Sequence, residues 1–246
     1  MGTGIDLNCD VGEGVGNESL LFRHISSCNI ATGGHAGDAR SMREIALLAA
    51  KHKIRIGAHP SYPDREHFGR VTRVMGKREF QSSIEIQING LFDILESHKL
   101  SMHHIKAHGA LYNDLAPGGR LALEYLEVLE PFRDMSILYA PCGSEFARVA
   151  AEYGFHLWEE GFADRAYRPG GSLVSRTESG AVLTDPATVA KQVLEMVLRN
   201  RVKCSDGSYY TMTPRTLCVH GDNPKANTIL EYLTECLSEA AIPLEK

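Results

Sequence analysis

The sequence predicts an α/β fold in which seven strand–helix repeats build a parallel, seven-stranded (β/α) barrel. Three observations carry that expectation. Short apolar runs alternate along the chain with longer helical patterns, the order produced by a parallel sheet with crossover helices. Several of these runs alternate polar and apolar residues, whereas strands of an open parallel sheet, covered on both faces, are apolar throughout. Polar residues also collect at the C-terminal ends of the runs, where a parallel barrel gathers its loops and its active site.

The expected strands are residues 5–10, 28–33, 54–59, 102–108, 136–140, 156–160 and 216–220. In the first, Ile5, Leu7 and Cys9 oppose Asp6, Asn8 and Asp10. In the fourth, Ile105 and Ala107 oppose His104, Lys106 and His108, and in the last Leu217 and Val219 oppose Cys218 and His220. Each strand thus offers one face to helices and one to a polar interior. Between them, helical periodicity covers residues 41–53, 77–98, 120–129, 143–153, 185–200 and 224–240. Asp185-Pro186 reads as an N-cap followed by proline at the first helical position. Pro169-Gly170-Gly171-Ser172 reads as a turn, with 173–174 and 181–183 forming a small hairpin beside the sheet.

The chain of 246 residues, 43% hydrophobic and 23% charged, is read as one domain spanning residues 1–246. A net charge of −5 argues against a nucleic-acid binder working through a broad basic surface. No apolar run is long enough for a membrane span, and the first residues carry neither a signal peptide nor a myristoylation signal. The six cysteines include no Cys-x-x-Cys pair and are read as free thiols, so the expected location is cytoplasmic.

One count stands out: 11 histidines. His24, His52 and His98 fall in helical stretches and are read as solvated, but His35, His59, His108 and His220 recur at strand ends. They accompany Asp6, Asn8 and Asp10, then Asp38, Lys106, Glu160 and Asp222. Asp6 and Asp10 share a strand face, and two carboxylates in one mouth would repel and form an acid/base pair. The histidines could shuttle protons or bind metal, and Lys106 could hold an anion. Arg176, and Arg165 if not paired with Asp164, are further anion candidates. One Asp with two His could bind a divalent ion of unassigned identity, although no His-Glu-x-x-His or His-x-His spacing fixes the ligands. Neither a Gly-x-x-x-x-Gly-Lys-Ser/Thr loop nor a Gly-x-Gly-x-x-Gly motif after a strand is present.

The ordered blocks Asp6-Leu7-Asn8-Cys9-Asp10-Val11-Gly12-Glu13, His35-Ala36-Gly37-Asp38, Gly57-Ala58-His59-Pro60, Phe68-Gly69-Arg70, His108-Gly109-Ala110-Leu111-Tyr112-Asn113, Phe162-Ala163-Asp164-Arg165 and Val219-His220-Gly221-Asp222 make the chain resemble the LamB/YcsF family, the A subunits of prokaryotic 5-oxoprolinase. The resemblance implies a barrel related to glycoside hydrolases and polysaccharide deacetylases. It also implies ATP-dependent opening of the lactam 5-oxoproline to L-glutamate, together with B and C partner subunits; a homo-oligomer is left open. The chain departs from the family where Thr32-Gly33-Gly34 replaces the usual Cys-Gly-Phe and where Ala107 replaces a proline. On this reading Asp10 activates water, His108 protonates nitrogen, Lys106 binds the anionic substrate and His59 completes the catalytic set. Asp6, Asn8, His35, Asp38, Glu160, Arg176, His220 and Asp222 shape the substrate site. Two alternatives stand beside it: a stand-alone metal-dependent deacetylase or amidase, and a non-catalytic scaffold subunit.

Overall fold

The computed structural model describes residues 4–245. Its strands are β1 (Asp6–Val11), β2 (Ser27–Ala31), β3 (Arg55–His59), β4 (His104–Lys106), β5 (Ile137–Pro141), β6 (Leu157–Phe162), β7 (Arg201–Lys203), β8 (Tyr209–Thr211) and β9 (Thr216–Val219). Seven of them close a barrel in the order β1-β2-β3-β4-β5-β6-β9, with every neighbouring pair parallel. The barrel is the expected one, and its seven strands are the seven expected from the polar/apolar alternation.

The outward residues meet a jacket of helices: α1 (Glu18–Leu21), α2 (Ala39–His52), α3 (Lys77–Ser97), α4 (Gly109–Leu115), α5 (Gly119–Leu129), α6 (Glu145–Glu152), α7 (Pro186–Arg199) and α8 (Ala226–Glu239). Leu7, Cys9, Ile30, Ile56, Ile105, Leu217 and Val219 pack there with Ile84, Ile88 and Leu91 of α3 and Val189, Val193 and Leu230 of α7 and α8. Burying such side chains contributes about 1.5–3 kcal/mol each relative to exposure. Asp185 caps α7 by accepting from Thr188 N, with Pro186 at the first position, as the sequence predicts. No helix among the described residues is long and apolar enough to cross a membrane.

The differences lie in short elements. α1 and α4 are too short for a periodic signal, and β4 keeps only three of the seven residues expected to be extended. The β7–β8 antiparallel pair is an unexpected hairpin. The expected small hairpin is absent, because Leu173 pairs with Tyr167 and Val182 with Arg165, each against the loop after β6 rather than against the other. His98 is exposed, but His24 and His52 are half-buried, and His24 lies in the turn after α1. All six cysteines are free.

Candidate active site

Inward residues of the barrel form tiers. At the N-terminal end, the Asp6 carboxylate accepts from Ser27 Oγ at 2.8 Å, Tyr139 Oη at 3.3 Å and Arg55 at 3.3 Å, and also from Thr216. Burial raises its pKa to about 6, against the lowering effect of those hydroxyls and Arg55. Asp6 therefore shares a face with Asp10 but not the mouth, and the expected carboxylate pair does not form there. In the middle tier Asn8 donates to Thr216 and to Glu160 at 2.7 and 2.8 Å. Asn29 donates to Asn8 Oδ1 and Asp10 Oδ1 at 2.8 and 2.7 Å, and receives a bond from His104 Nε2 at 2.6 Å. The His104 ring reaches Asn29 because residue 57 is glycine: a Cβ there would sit 2.2 Å from His104 Nε2.

Lys106 joins this tier to the mouth. Its ammonium, 2% exposed, lies 2.9 Å from Glu160, 3.1 Å from Asp10 Oδ1 and from Cys218 Sγ, and 3.2 Å from Asn8 Oδ1. Burial opposes the charged amine, yet Asp10, Cys218 and Glu160 more than offset it and hold the pKa well above the ordinary value. With three N–H donors and four acceptors, Lys106 has no donor left for a substrate anion. Its expected role as a substrate clamp gives way to that of an anchor for two buried carboxylates. Asp10 Oδ1 takes Lys106 and Asn29 and lies 3.4 Å from His59 Nε2, while its Oδ2 has no partner among the described residues. Burial pushes the Asp10 carboxyl up, but His59 and Lys106 pull it well below the carboxylate range, so it is ionised.

The mouth opens into a cleft of about 710 Å³. Of the twelve expected site residues, Asp10, His59, Lys106, His108, Arg176 and His220 line it. The others do not. Asn8, Glu160 and His35 are buried behind the lining; Asp222 is tied to Arg70 and Arg176. Asp38 is exposed and caps α2, accepting from Ser41 N at 2.8 Å, which removes it from the substrate site.

Four features extend or correct the sequence reading, and one of them, Arg165, was already an anion candidate. Asp164, fully buried, does not pair with Arg165; it accepts from His220 Nδ1 at 2.7 Å and from Asn223 at 2.9 Å. Burial raises its pKa, but His220 outweighs this and keeps it low. Arg165, 6% exposed, donates to the carbonyls of Ala181 and Val174 and has no carboxylate partner among the described residues. Burial and the neighbouring Arg176 lower its pKa to about 10, the mark of a cation lacking a counter-ion. Asn29, an inward polar residue of β2, joins them because its amide bridges Asn8 and Asp10.

Glu13 is the fourth. Its side chain, 3% exposed, lies 3.1 Å from His35 Nε2 and 3.5 Å from His108 Nδ1. Burial and the charge of Asp10 push its carboxyl well above the usual range. The His35 and His108 rings stack at 3.6 Å, and His108 Nδ1 lies 3.0 Å from His59 Nε2. Burial and the neighbouring imidazoles lower the pKa of His108 well below normal, and burial with His59 lowers that of His35 to about 2. Gly69, at φ +63°, closes over the stack, where a Cβ would come within 2.9 Å of His35 Cβ. Gly34 likewise has no room for a side chain, since a Cβ would meet Gln87 Oε1 and Ser61 Oγ.

Two groups bring metal-type donors together: Glu13, His35, His59 and His108, and separately Asp10, Cys218 and His220. In the second, the Lys106 ammonium already contacts Asp10 and Cys218, so a cation is in place without a metal.

The LamB/YcsF family model matches residues 5–246. The chain belongs to the LamB/YcsF family. This LamB/YcsF protein is 38% identical over 243 residues to the 5-oxoprolinase A subunit of Pyrococcus furiosus, covering 97% of this chain and 95% of that one. It is 40% identical over 234 residues to the 5-oxoprolinase A subunit of Bacillus cytotoxicus, covering 93% of each. Among solved structures, the lactam utilization protein from Thermus thermophilus superposes with a TM-score of 0.91 at 31% identity over 99% of both chains. A family 4 carbohydrate esterase from Streptomyces lividans aligns over 99% of this chain and 93% of its own at a TM-score of 0.52 and 10% identity, a likeness of fold alone. The seven-stranded β/α barrel expected from the resemblance is thus the fold observed.

Proposed function

We propose that this chain is the single-domain, cytoplasmic A subunit of an ATP-dependent 5-oxoprolinase, acting with B and C partner subunits to open the lactam of 5-oxoproline to L-glutamate. The observation that carries this reading is one cleft that holds an ionised carboxylate, an Asp-oriented histidine and an unpaired buried arginine. The names of its full-length relatives and of its structural neighbour support the lactam as substrate.

Asp10 is the general base. Its Oδ1 is fixed by Lys106 and Asn29, and its Oδ2 is open to take a proton from water. As that water oxygen bonds to the lactam carbon, the carbonyl electrons move to oxygen. His220 is the general acid. Its Nδ1–H is held by Asp164, which leaves Nε2 to protonate the ring nitrogen as the C–N bond breaks. His108 fits this second role less well than the sequence suggests, because both its nitrogens are engaged, by Phe68 O and by His59. Arg165, with Arg176, receives the substrate carboxylate. Coupling to ATP would transfer the γ-phosphoryl group to the lactam oxygen with release of ADP. Water addition and C–N cleavage then leave an acyl phosphate, which a second water hydrolyses to the glutamate carboxylate and inorganic phosphate. A cleft lined by Arg70, Arg165, Arg168 and Arg176 suits these anionic intermediates.

The test is reconstitution with the B and C partners, ATP and 5-oxoproline, with glutamate as the readout. Asp10→Asn and His220→Gln should each reduce turnover by about 10²–10⁴-fold. Undiminished turnover in either folded variant removes that residue's role. The donor group at Glu13 favours a second reading, a stand-alone metal-dependent deacetylase or amidase. Amide hydrolysis by the chain alone, without ATP and lost on chelation, would establish it over the first.

A further inference from the structure

We propose that Glu13, His35, His59 and His108 bind one divalent transition ion of the zinc class. The argument rests on where the protons of the three imidazoles must lie. A carbonyl oxygen can only accept. His59 Nδ1, 2.8 Å from Lys106 O, therefore carries a proton, and so does His108 Nε2, 2.9 Å from Phe68 O. Ser61 Oγ gives its one proton to Tyr62 O at 2.9 Å, so it accepts from His35 Nδ1 at 3.0 Å. All three N–H groups thus face away from the cluster.

The opposite nitrogens, His35 Nε2, His59 Nε2 and His108 Nδ1, turn inward, toward Glu13. Together with a Glu13 oxygen, all four donor atoms lie within 4.8 Å of one another. His59 Nε2 and His108 Nδ1 face each other at 3.0 Å, close enough for one ion to meet both. No lysine or arginine among the described residues forms an ion pair with Glu13, in contrast to the Asp10–Cys218–His220 group that Lys106 occupies.

The spacing and the chemistry agree with an ion. Edges of 3.0, 3.1 and 3.5 Å among the donors bracket the edge of about 3.4 Å expected for a tetrahedron with bonds of about 2.1 Å. Each imidazole has a back-side acceptor that fixes its tautomer, the arrangement that supports metal-bound histidines. Three nitrogens and one carboxylate suit zinc, cobalt or nickel, not the all-oxygen preference of magnesium or calcium. The ligands come from the ends of β1, β2, β3 and β4, so the barrel itself sets their spacing. Because it is read from the donors alone, the assignment is independent of the lactam reading.

The test uses the full chain with any affinity tag removed. Elemental analysis of the purified protein should find about one transition ion per chain. After stripping with a chelator, titration with Co²⁺ should give visible absorption bands that saturate at one equivalent. Glu13→Gln and Ser61→Ala should weaken Co²⁺ binding by about 10–100-fold, and Cys218→Ser should leave the stoichiometry and spectrum unchanged. A folded wild-type chain that neither carries an ion nor develops cobalt bands overturns the proposal, and so does cobalt binding lost in Cys218→Ser but kept in Glu13→Gln. Since the readout is spectroscopic, these outcomes stand whether or not the chain opens a lactam.

Discussion

The two ends of the barrel interior are built from the same strands with the same parity, yet they behave differently. At the N-terminal end, Asp6 is surrounded by Ser27, Tyr139, Thr216 and Arg55, and its acceptor atoms are used within the protein. At the C-terminal mouth, Asp10 Oδ2, His220 and the Arg165 guanidinium keep capacity for something not of the protein. Inward polarity by itself therefore does not mark a functional group. What marks it is polarity that the fold orients and leaves incomplete.

The sharpest way to break this contrast is to remove the cation that ties the two halves together. Lys106→Met should leave Asp10 and Glu160 as buried charges without the ammonium that pairs them, costing about 3–5 kcal/mol of stability, measurable by urea unfolding. Turnover in the reconstituted assay should fall at least as far as in Asp10→Asn, and Lys106→Arg should not restore it, since a planar fork cannot replace a compact ammonium among four acceptors. A Lys106→Met protein as stable as the wild type would show that the tier is not held by charge.

Arg165→Gln probes the incomplete end alone. Loss of a buried cation facing a substrate carboxylate should raise KM about 30–100-fold, or about 2–3 kcal/mol, with kcat changed far less. An unchanged KM would move the anion site to Arg176 or Arg70.

Asp6→Asn probes the completed end. The folded pKa of about 6 lies above the ordinary 3.8, so between those values the folded chain holds a proton that the unfolded chain has lost. Wild-type stability must then fall as pH rises through that window, by up to about 3 kcal/mol from this group. The stability of Asp6→Asn relative to wild type should accordingly improve from pH 4 to pH 7, with kcat and KM unaltered. A flat difference across that range would deny Asp6 its raised pKa. The smallest effect belongs to Asp38→Ala, which should lower stability by about 1 kcal/mol through the lost helix cap and leave turnover intact.

Legibility in the sequence followed locality. Alternation in Asp6-Leu7-Asn8-Cys9-Asp10 and in His104-Ile105-Lys106 is a short-range pattern, and it correctly predicted polar interior faces and hence the closed barrel. The same parity could not say at what height along the axis each residue sits. That depends on strand stagger, which is why Asp6 was expected beside Asp10 and lies below it. Asp38 shows the reverse failure: it stands at a strand end by sequence, but its carboxylate is taken by Ser41 three residues later.

Sequence alone determined the seven strands, the choice of polar and apolar faces, the family, and the recurrence of histidine at strand ends. These follow from backbone periodicity and from residue order. Tertiary structure decided which polar groups complete one another and which do not. It paired Asp164 with His220, saturated Lys106, left Arg165 without a carboxylate, and turned Nε2 of His35 and His59 and Nδ1 of His108 toward Glu13. Hydrogen-bond partners 40 to more than 100 residues apart, such as Phe68 with His108 and Lys106 with Cys218, meet only when the barrel closes, so no local pattern records them.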